Sequence, residues 1–192
     1  NMVFGGSAES TKESMTSLYD ALILSLIGIF ALLVLIFRSF VYPFVIMTTI
    51  PLGFIGFSIS FALHQRPTSF MALIGMIGLG GVIVNSGIVL MSFIQELRDS
   101  GESNLRKVLI TASGLRLRPV LATSLTTICG LIPTAYGIGG KDAMLIPMTL
   151  AMGWGLTSGT FLTLIWIPAF YAILEDAKIK LSGLFKKGEA NE

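Results

Sequence analysis

Charge is the property that this sequence has least of. Charged residues make up 12% of its 192 residues, whereas a soluble domain carries about 25%. The net charge of +2 is too small to indicate a nucleic-acid partner. A single cysteine, Cys129, excludes a disulfide within the chain, and together with the one distant histidine, His64, it cannot supply a metal site. No glycine-rich phosphate loop is present, so we expect neither a metal nor a cofactor.

Apolar residues are abundant instead, at 53% of the chain. A helix needs about 20 apolar residues to span a bilayer, and a barrel strand needs only about 10. Five segments of the required helical length are almost free of charge, namely 17–37, 43–63, 69–95, 120–138 and 147–174. This pattern excludes a soluble globule, a disordered chain and a disulfide scaffold. We predict an all-α membrane protein in which five transmembrane helices form a bundle.

The basic residues are divided unevenly between the two ends of these spans. Five spans place the chain termini on opposite sides, with ten Lys and Arg on one side and three on the other. The ten are Arg38, Arg98, Arg106, Lys107, Arg116, Arg118, Lys178, Lys180, Lys186 and Lys187, and the three are Lys12, Arg66 and Lys141. Cytoplasmic loops carry the excess of Lys and Arg. We therefore predict a cytoplasmic C-terminus and an extracytoplasmic N-terminal segment.

The connection between the third and fourth spans is the longest of the loops. Its apolar residues recur at helical spacing, at Leu105, Val108, Leu109, Ala112 and Leu115. This periodicity predicts an interfacial helix that lies along the inner membrane surface, with a soluble helical connector as the alternative. We expect the fourth span to begin at Pro119, since proline needs no donor in a first helical turn.

No Asp, Glu, Lys, Arg or His lies in the middle of any span, although proton coupling inside a membrane usually needs one. The third span carries a stripe of small and polar residues instead. Gly78, Gly81, Asn85 and Ser92 share one helix face because their separations are three, four and seven residues. The two glycines predict close helix packing. Asn85 either pins that packing or serves a polar function.

The fourth and fifth spans carry further small and polar residues. Thr123 is a candidate functional residue on the fourth span, although most intramembrane threonines simply bond to their own helix. On the fifth span Ala151, Gly155 and Gly159 recur every four residues, which predicts a close helix contact. Two prolines, Pro51 and Pro133, predict a kink or a broken turn in the second and fourth spans. We expect the loop histidine to lie at the membrane interface.

Three segments together resemble one family of transporters. They are residues 81–93 (GVIVNSGIVLMSF), residues 116–133 (RLRPVLATSLTTICGLIP), and residues 152–156 (MGWGL) followed by 167–170 (IPAF). In order and spacing they resemble the resistance-nodulation-division (RND) efflux transporters, and the similarity runs from about residue 17 to residue 181.

The resemblance implies a fold larger than this chain. RND transporters contain two repeats of six transmembrane helices, and each repeat has a large extracytoplasmic domain between its first and second helix. This chain resembles helices eight to twelve. The resemblance therefore implies the end of an extracytoplasmic domain at residues 1–16, a transmembrane bundle at 17–181 and a cytoplasmic tail at 182–192.

The resemblance also implies a function and a set of partners. Family members export drugs or other amphiphiles from the bacterial inner membrane by proton antiport. They typically work as trimers, and the partners implied are the first transmembrane repeat, the extracytoplasmic domains, a periplasmic adaptor and an outer-membrane channel. Protein-export and lipid-export members of the superfamily are the alternative, and a membrane scaffold that does not transport is a second one.

Three residues match the proton relay of that family. The proton is carried by aspartates of the first repeat, which face a polar residue and a threonine of the second repeat. Asn85 and Thr123 stand at those two positions, and Arg116 matches an arginine at the cytoplasmic approach to the relay. Many multidrug members have lysine where Asn85 stands. Because asparagine donates hydrogen bonds but changes charge at no pH, the resemblance implies proton coupling without a lysine switch.

Overall fold

The protein is built from six helices along the part of the chain that the structure describes. A computed structural model describes residues 5–101, 104–138, 140 and 142–189. The helices are α1 (Gly5–Phe37), α2 (Val41–Met47), α3 (Ile50–Leu63), α4 (Phe70–Asp99), α5 (Leu105–Ala135) and α6 (Leu145–Glu189). With α2 and α3 counted together, five stretches are long and apolar enough to cross a membrane. The predicted all-α fold with five spans is confirmed.

Several of these helices extend beyond the predicted spans. The first begins at Gly5 rather than near residue 17, so most of the predicted domain end at 1–16 is helical and continuous with the span. The last continues to Glu189, through most of the predicted tail at 182–192. Lys141, residues 1–4 and residues 190–192 lie outside the described residues.

Polar residues mark where the helices begin and end. The side chain of Ser69 accepts a hydrogen bond from Ala72 N at 3.3 Å and caps the start of α4, and Asn104 accepts one from Lys107 N at 3.2 Å at the start of α5. Both satisfy amide groups that the first turn of a helix leaves without a partner. Gly137 has a φ of 68° and follows the end of α5, where a left-handed residue is the usual terminator.

The second span is broken as Pro51 predicts. Pro51 lies in the first turn of α3 and has no amide to donate back to α2, and Thr48 and Thr49 separate the two helices. The hydroxyls of these threonines donate to the carbonyls of Val45 and Ile46, each at 2.6 Å. No comparable break occurs at the second proline, since α5 runs past it to Ala135 before it ends.

The structure differs from the sequence prediction at the expected interfacial helix. The segment is helical, but it is continuous with the fourth span, and Pro119 lies inside α5 rather than at the start of a new helix. The reason is packing, because Val108, Leu109 and Ala112 are buried in the core cluster formed with α2, α4 and α6. Their burial outweighs the one backbone hydrogen bond that proline removes.

The last helix holds the bundle together. Helix α6 packs against α3, α4 and α5, and 39% of its most apolar stretch is buried inside the bundle. In α1 and in α5 only 11% of the most apolar stretch is buried. These two helices therefore present most of their apolar surface outward, to lipid or to another polypeptide.

Candidate functional site

The polar stripe of α4 faces out of the bundle. Gly78, Gly81, Asn85 and Ser92 are all exposed, while the opposite face of the helix is buried. A methyl group added at Gly81 would meet no atom of the described chain within 4 Å, and one added at Gly78 would meet only Met152 Cε, at 3.8 Å. The two glycines therefore make no close helix contact within the described chain. Close packing at these glycines requires a helix outside the described chain, and it stays a prediction.

Helix α5 brings Thr123 into the groove that Asn85 lines. The groove has a volume of about 240 Å³ and is lined by Val82, Asn85, Ser86, Val89, Pro119, Val120, Thr123, Ser124, Thr127 and Leu156. Its walls are α4 and α5, and Leu156 of α6 contributes to the lining. The structure thus places Asn85 and Thr123 at one site, although they are 38 positions apart in the sequence.

The hydroxyl of Thr123 bonds to its own helix. Its oxygen lies 3.0 Å from the carbonyl oxygen of Val120 and 3.2 Å from that of Pro119. Because a hydroxyl has one proton and two lone pairs, the proton is used within the helix and the oxygen can still accept a hydrogen bond. A donor that enters the groove can therefore bond to Thr123 without disturbing the helix.

Arg116 lies on the same helix but outside this groove. Its guanidinium carbon lies 4.3 Å from the centroid of the Phe93 ring on α4, which is a cation–π distance. Its Nε atom is buried and has no hydrogen-bond partner in the part of the chain that the structure describes. Phe93 is eight residues after Asn85, or about 12 Å along an α-helix. The structure therefore places Arg116 at one end of the α4 and α5 pair, and not in contact with the polar residues of the groove.

The small residues of α6 lie against α3 and α4. A methyl group at Gly155 would lie 3.3 Å from the carbonyl oxygen of Gly53 and would overlap Leu79. One at Gly159 would lie 2.9 Å from Ile83 Cγ1. Ala151 is fully buried, in a cluster with Phe57, Phe61 and Ala72.

A polar cluster that the sequence did not predict joins the end of α4 to the middle of α6. Arg98 donates one hydrogen bond to the hydroxyl of Tyr171, at 2.6 Å, and another to the carboxylate of Glu175, at 2.9 Å. The Tyr171 ring stacks on Tyr42, with centroids 5.9 Å apart. These residues lie at the edges of separate apolar runs, and no sequence spacing indicates that they meet. The cluster links α4 to α6 and α6 to α2.

Within the described chain, the single histidine contacts a helix carbonyl and two aromatic rings. Nδ1 of His64 lies 2.8 Å from the carbonyl oxygen of Ser60, and its ring lies 5.9 Å from the rings of Tyr136 and Trp154. Among the described residues, no three His, Cys, Asp or Glu side chains are grouped so that they could hold a metal ion.

Comparison with known proteins gives a consistent set of relatives. The sequence pattern of the AcrB/AcrD/AcrF family matches residues 1–175. The multidrug resistance protein MdtC of Pantoea ananatis is 27% identical over 177 residues, which cover 92% of this chain and 17% of the relative. The protein of the same name from Photorhabdus laumondii is 29% identical over 88% of this chain and 16% of its own length.

A solved structure is similar as well. The crystal structure of a heavy metal efflux pump superposes with a TM-score of 0.78 at 27% identity. The match covers 88% of this chain and 16% of the pump. The chain therefore spans about a sixth of the length of these relatives.

Proposed function

The chain belongs to the AcrB/AcrD/AcrF family of RND efflux transporters, and from that membership we propose that it forms transmembrane helices eight to twelve of a proton-driven transporter. In this proposal Asn85 and Thr123 support a proton relay whose acids lie in the first repeat. The cargo is a drug or another amphiphile. The transporter sits in a bacterial inner membrane, with the C-terminus in the cytoplasm.

The observation that carries the proposal is the open groove between α4 and α5. It combines an amide and a hydroxyl oxygen at a site exposed on the surface of the bundle. A buried amide in a membrane needs hydrogen-bond partners, and the outward-facing Asn85 can find them in water or on another helix. The groove of about 240 Å³ has room for several waters or for side chains of a partner helix.

The two residues would favour opposite states of a carboxylic acid in the groove. The Asn85 amide donates hydrogen bonds, and a bond to a charged acceptor is worth more than a bond to a neutral one. Asn85 therefore favours the deprotonated acid. Thr123 has only an acceptor to offer, because its proton is used within the helix, and this favours the protonated acid. Together the two residues lower the free-energy cost of both the protonated and the deprotonated acid, as a proton relay requires.

The partners follow from the same proposal. The first repeat covers the polar stripe of α4, and three copies of the complete transporter assemble as a trimer. A periplasmic adaptor and an outer-membrane channel continue the export path. The exposed apolar side chains of α1, which include Leu24 (72% exposed) and Leu35 (78%), support a helix that meets lipid or a further polypeptide.

The test uses the complete transporter that contains this chain. We expect Thr123→Ala and Asn85→Leu each to reduce drug export by about 3- to 30-fold, the range that an interhelical hydrogen bond supplies in a membrane, while protein level and trimer assembly stay unchanged. Thr126→Ala is the matched control, because Thr126 also bonds to its own helix, at Ala122 O, but does not line the groove. Full export in both variants, or loss of thermal stability in proportion to loss of export, would overturn the relay role.

A further inference from the structure

A buried hydrogen bond connects α5 to α6 beside the proposed relay. The hydroxyls of Ser124 and Thr160 lie 2.8 Å apart. Both residues are buried, with 6% and 3% of their surfaces exposed. Ser124 directly follows Thr123 and lines the same groove. The bond therefore connects the relay helix to α6 at the level of the relay.

The same turn of α6 is also held against α4. Gly159, which precedes Thr160, lies so close to Ile83 that an added methyl group would be only 2.9 Å from its Cγ1 atom. Ile83 is two residues before Asn85 on α4. One turn of α6 thus contacts the helix that carries Asn85 through Gly159 and the helix that carries Thr123 through Thr160.

Apart from Leu121 and Ile128, which pack partly buried against the core, most of the relay segment of α5 is exposed. Between Pro119 and the end of the helix, only Val120, Ser124 and Ala135 are buried. Pro119 lies inside the helix and donates no backbone hydrogen bond, which makes the helix easier to bend at that point. A side-chain oxygen lies roughly 4.5 Å from the helix axis, so a rotation of about 20° moves it by about 1.5 Å. Such a rotation would break the 2.8 Å bond and turn Thr123 relative to Asn85.

We infer that Ser124 and Thr160 are a positioning pair, whose hydrogen bond sets the rotation of α5 so that the Thr123 hydroxyl faces Asn85 across the groove. Neither residue carries the proton. The inference rests on the proposed relay. It implies that contacts with α6 fix the distance between α4, which carries Asn85, and α5, which carries Thr123.

The test measures proton-driven export against pH in the complete transporter. We expect Thr160→Val, which keeps the shape and removes the hydroxyl, to reduce export about 3- to 30-fold, the range that an interhelical hydrogen bond supplies in a membrane. The midpoint of the pH profile should move as it does in Thr123→Ala. Thr160→Ser keeps the hydroxyl and should restore both the rate and the midpoint.

Thr163→Val is the matched control. Thr163 lies on the same helix and is 2% exposed, and its hydroxyl has no hydrogen-bond partner among the described residues. Removal of that hydroxyl should therefore leave the rate and the pH profile unchanged. Ser124→Ala should behave as Thr160→Val does, and the double variant should be no worse than either single variant, because both changes remove the same bond.

The outcomes separate this inference from the proposed function. In a Thr123→Ala background, Thr160→Val should cause no further change in the pH profile. If Thr123→Ala itself has no effect, the proposed relay fails. If Thr123→Ala reduces export but Thr160→Val leaves the rate and the profile unchanged, or if Thr163→Val has the same effect as Thr160→Val, the positioning role is refuted.

Discussion

The contact between α4 and α6 allows a sharp test of the packing, through Gly75. A methyl group at this glycine would lie 2.6 Å from the carbonyl oxygen of Met148 and 3.1 Å from its Cα. Both atoms belong to the backbone of α6, so neither can move by a rotamer change. A carbon and a carbonyl oxygen approach to about 3.3 Å, and Gly75→Ala therefore requires the two helices to separate by roughly 0.7 Å.

Comparison with Gly81→Ala isolates the cost of that separation. Both glycines lie inside α4, so each change to alanine gains a similar helix propensity of about 1 kcal/mol. The methyl group at Gly81 meets nothing within 4 Å in the described chain, whereas overpacking costs about 1 to 3 kcal/mol. The difference between the two variants is then the overpacking cost alone, and we expect it near the upper end because backbone atoms are involved.

The assay is thermal unfolding of the chain in detergent, followed by circular dichroism. For a chain of this length, each kcal/mol corresponds to about 2 to 4 °C in Tm. An overpacking cost of about 3 kcal/mol should therefore place the Tm of Gly75→Ala roughly 6 to 12 °C below that of Gly81→Ala. Equal Tm values for the two variants, or a lower value for Gly81→Ala, would refute the assigned packing of α4 on α6.

Two further predictions concern topology and the cluster around Arg98. Single cysteines at Lys141 and Arg106 in a Cys129→Ser background should differ in intact cells: an impermeant thiol reagent should label position 141 and spare position 106, and labelling of position 106 from outside would overturn the assigned orientation. Arg98→Gln should destabilise the chain by about 1 to 2 kcal/mol in a detergent unfolding assay, since it disrupts hydrogen bonds of a partly exposed charged group. Arg106→Gln on the exposed face of α5 should have little effect, and equal losses in the two variants would contradict the role of the cluster.

The fold could be predicted from the sequence because a membrane leaves few choices. A long apolar run must satisfy its own backbone hydrogen bonds, and a helix does so locally. All five runs accordingly form helices. The boundaries were less predictable, since the packing of Val108 and Ala112 keeps α5 helical across Pro119. The spacing of these apolar residues predicts a helix, but it does not indicate that the helix continues into the fourth span.

The candidate site could be predicted only in part. Spacing placed Asn85 and its neighbouring glycines on one face of α4, but it could not indicate which way that face points. Buried Gly75 and exposed Gly81 occur on the same helix, and apolar residues surround both. Likewise, no spacing indicates that Ser124 meets Thr160, because the two lie on different helices. Asn85 and Thr123 line the same groove. The family resemblance implies that they share a site, and no local pattern in the sequence does so.

The most direct test of the central claim is proton flux in liposomes that contain a pH-sensitive dye. We propose that Asn85 and Thr123 support a proton carrier, and no Asp, Glu, Lys, Arg or His lies in the middle of any of the five spans. The complete transporter should dissipate an imposed pH gradient when substrate is added, and this chain alone should leave the gradient as stable as it is in empty liposomes. Substrate-dependent proton flux from the chain alone would contradict the proposal that the acids of the relay lie in the first repeat.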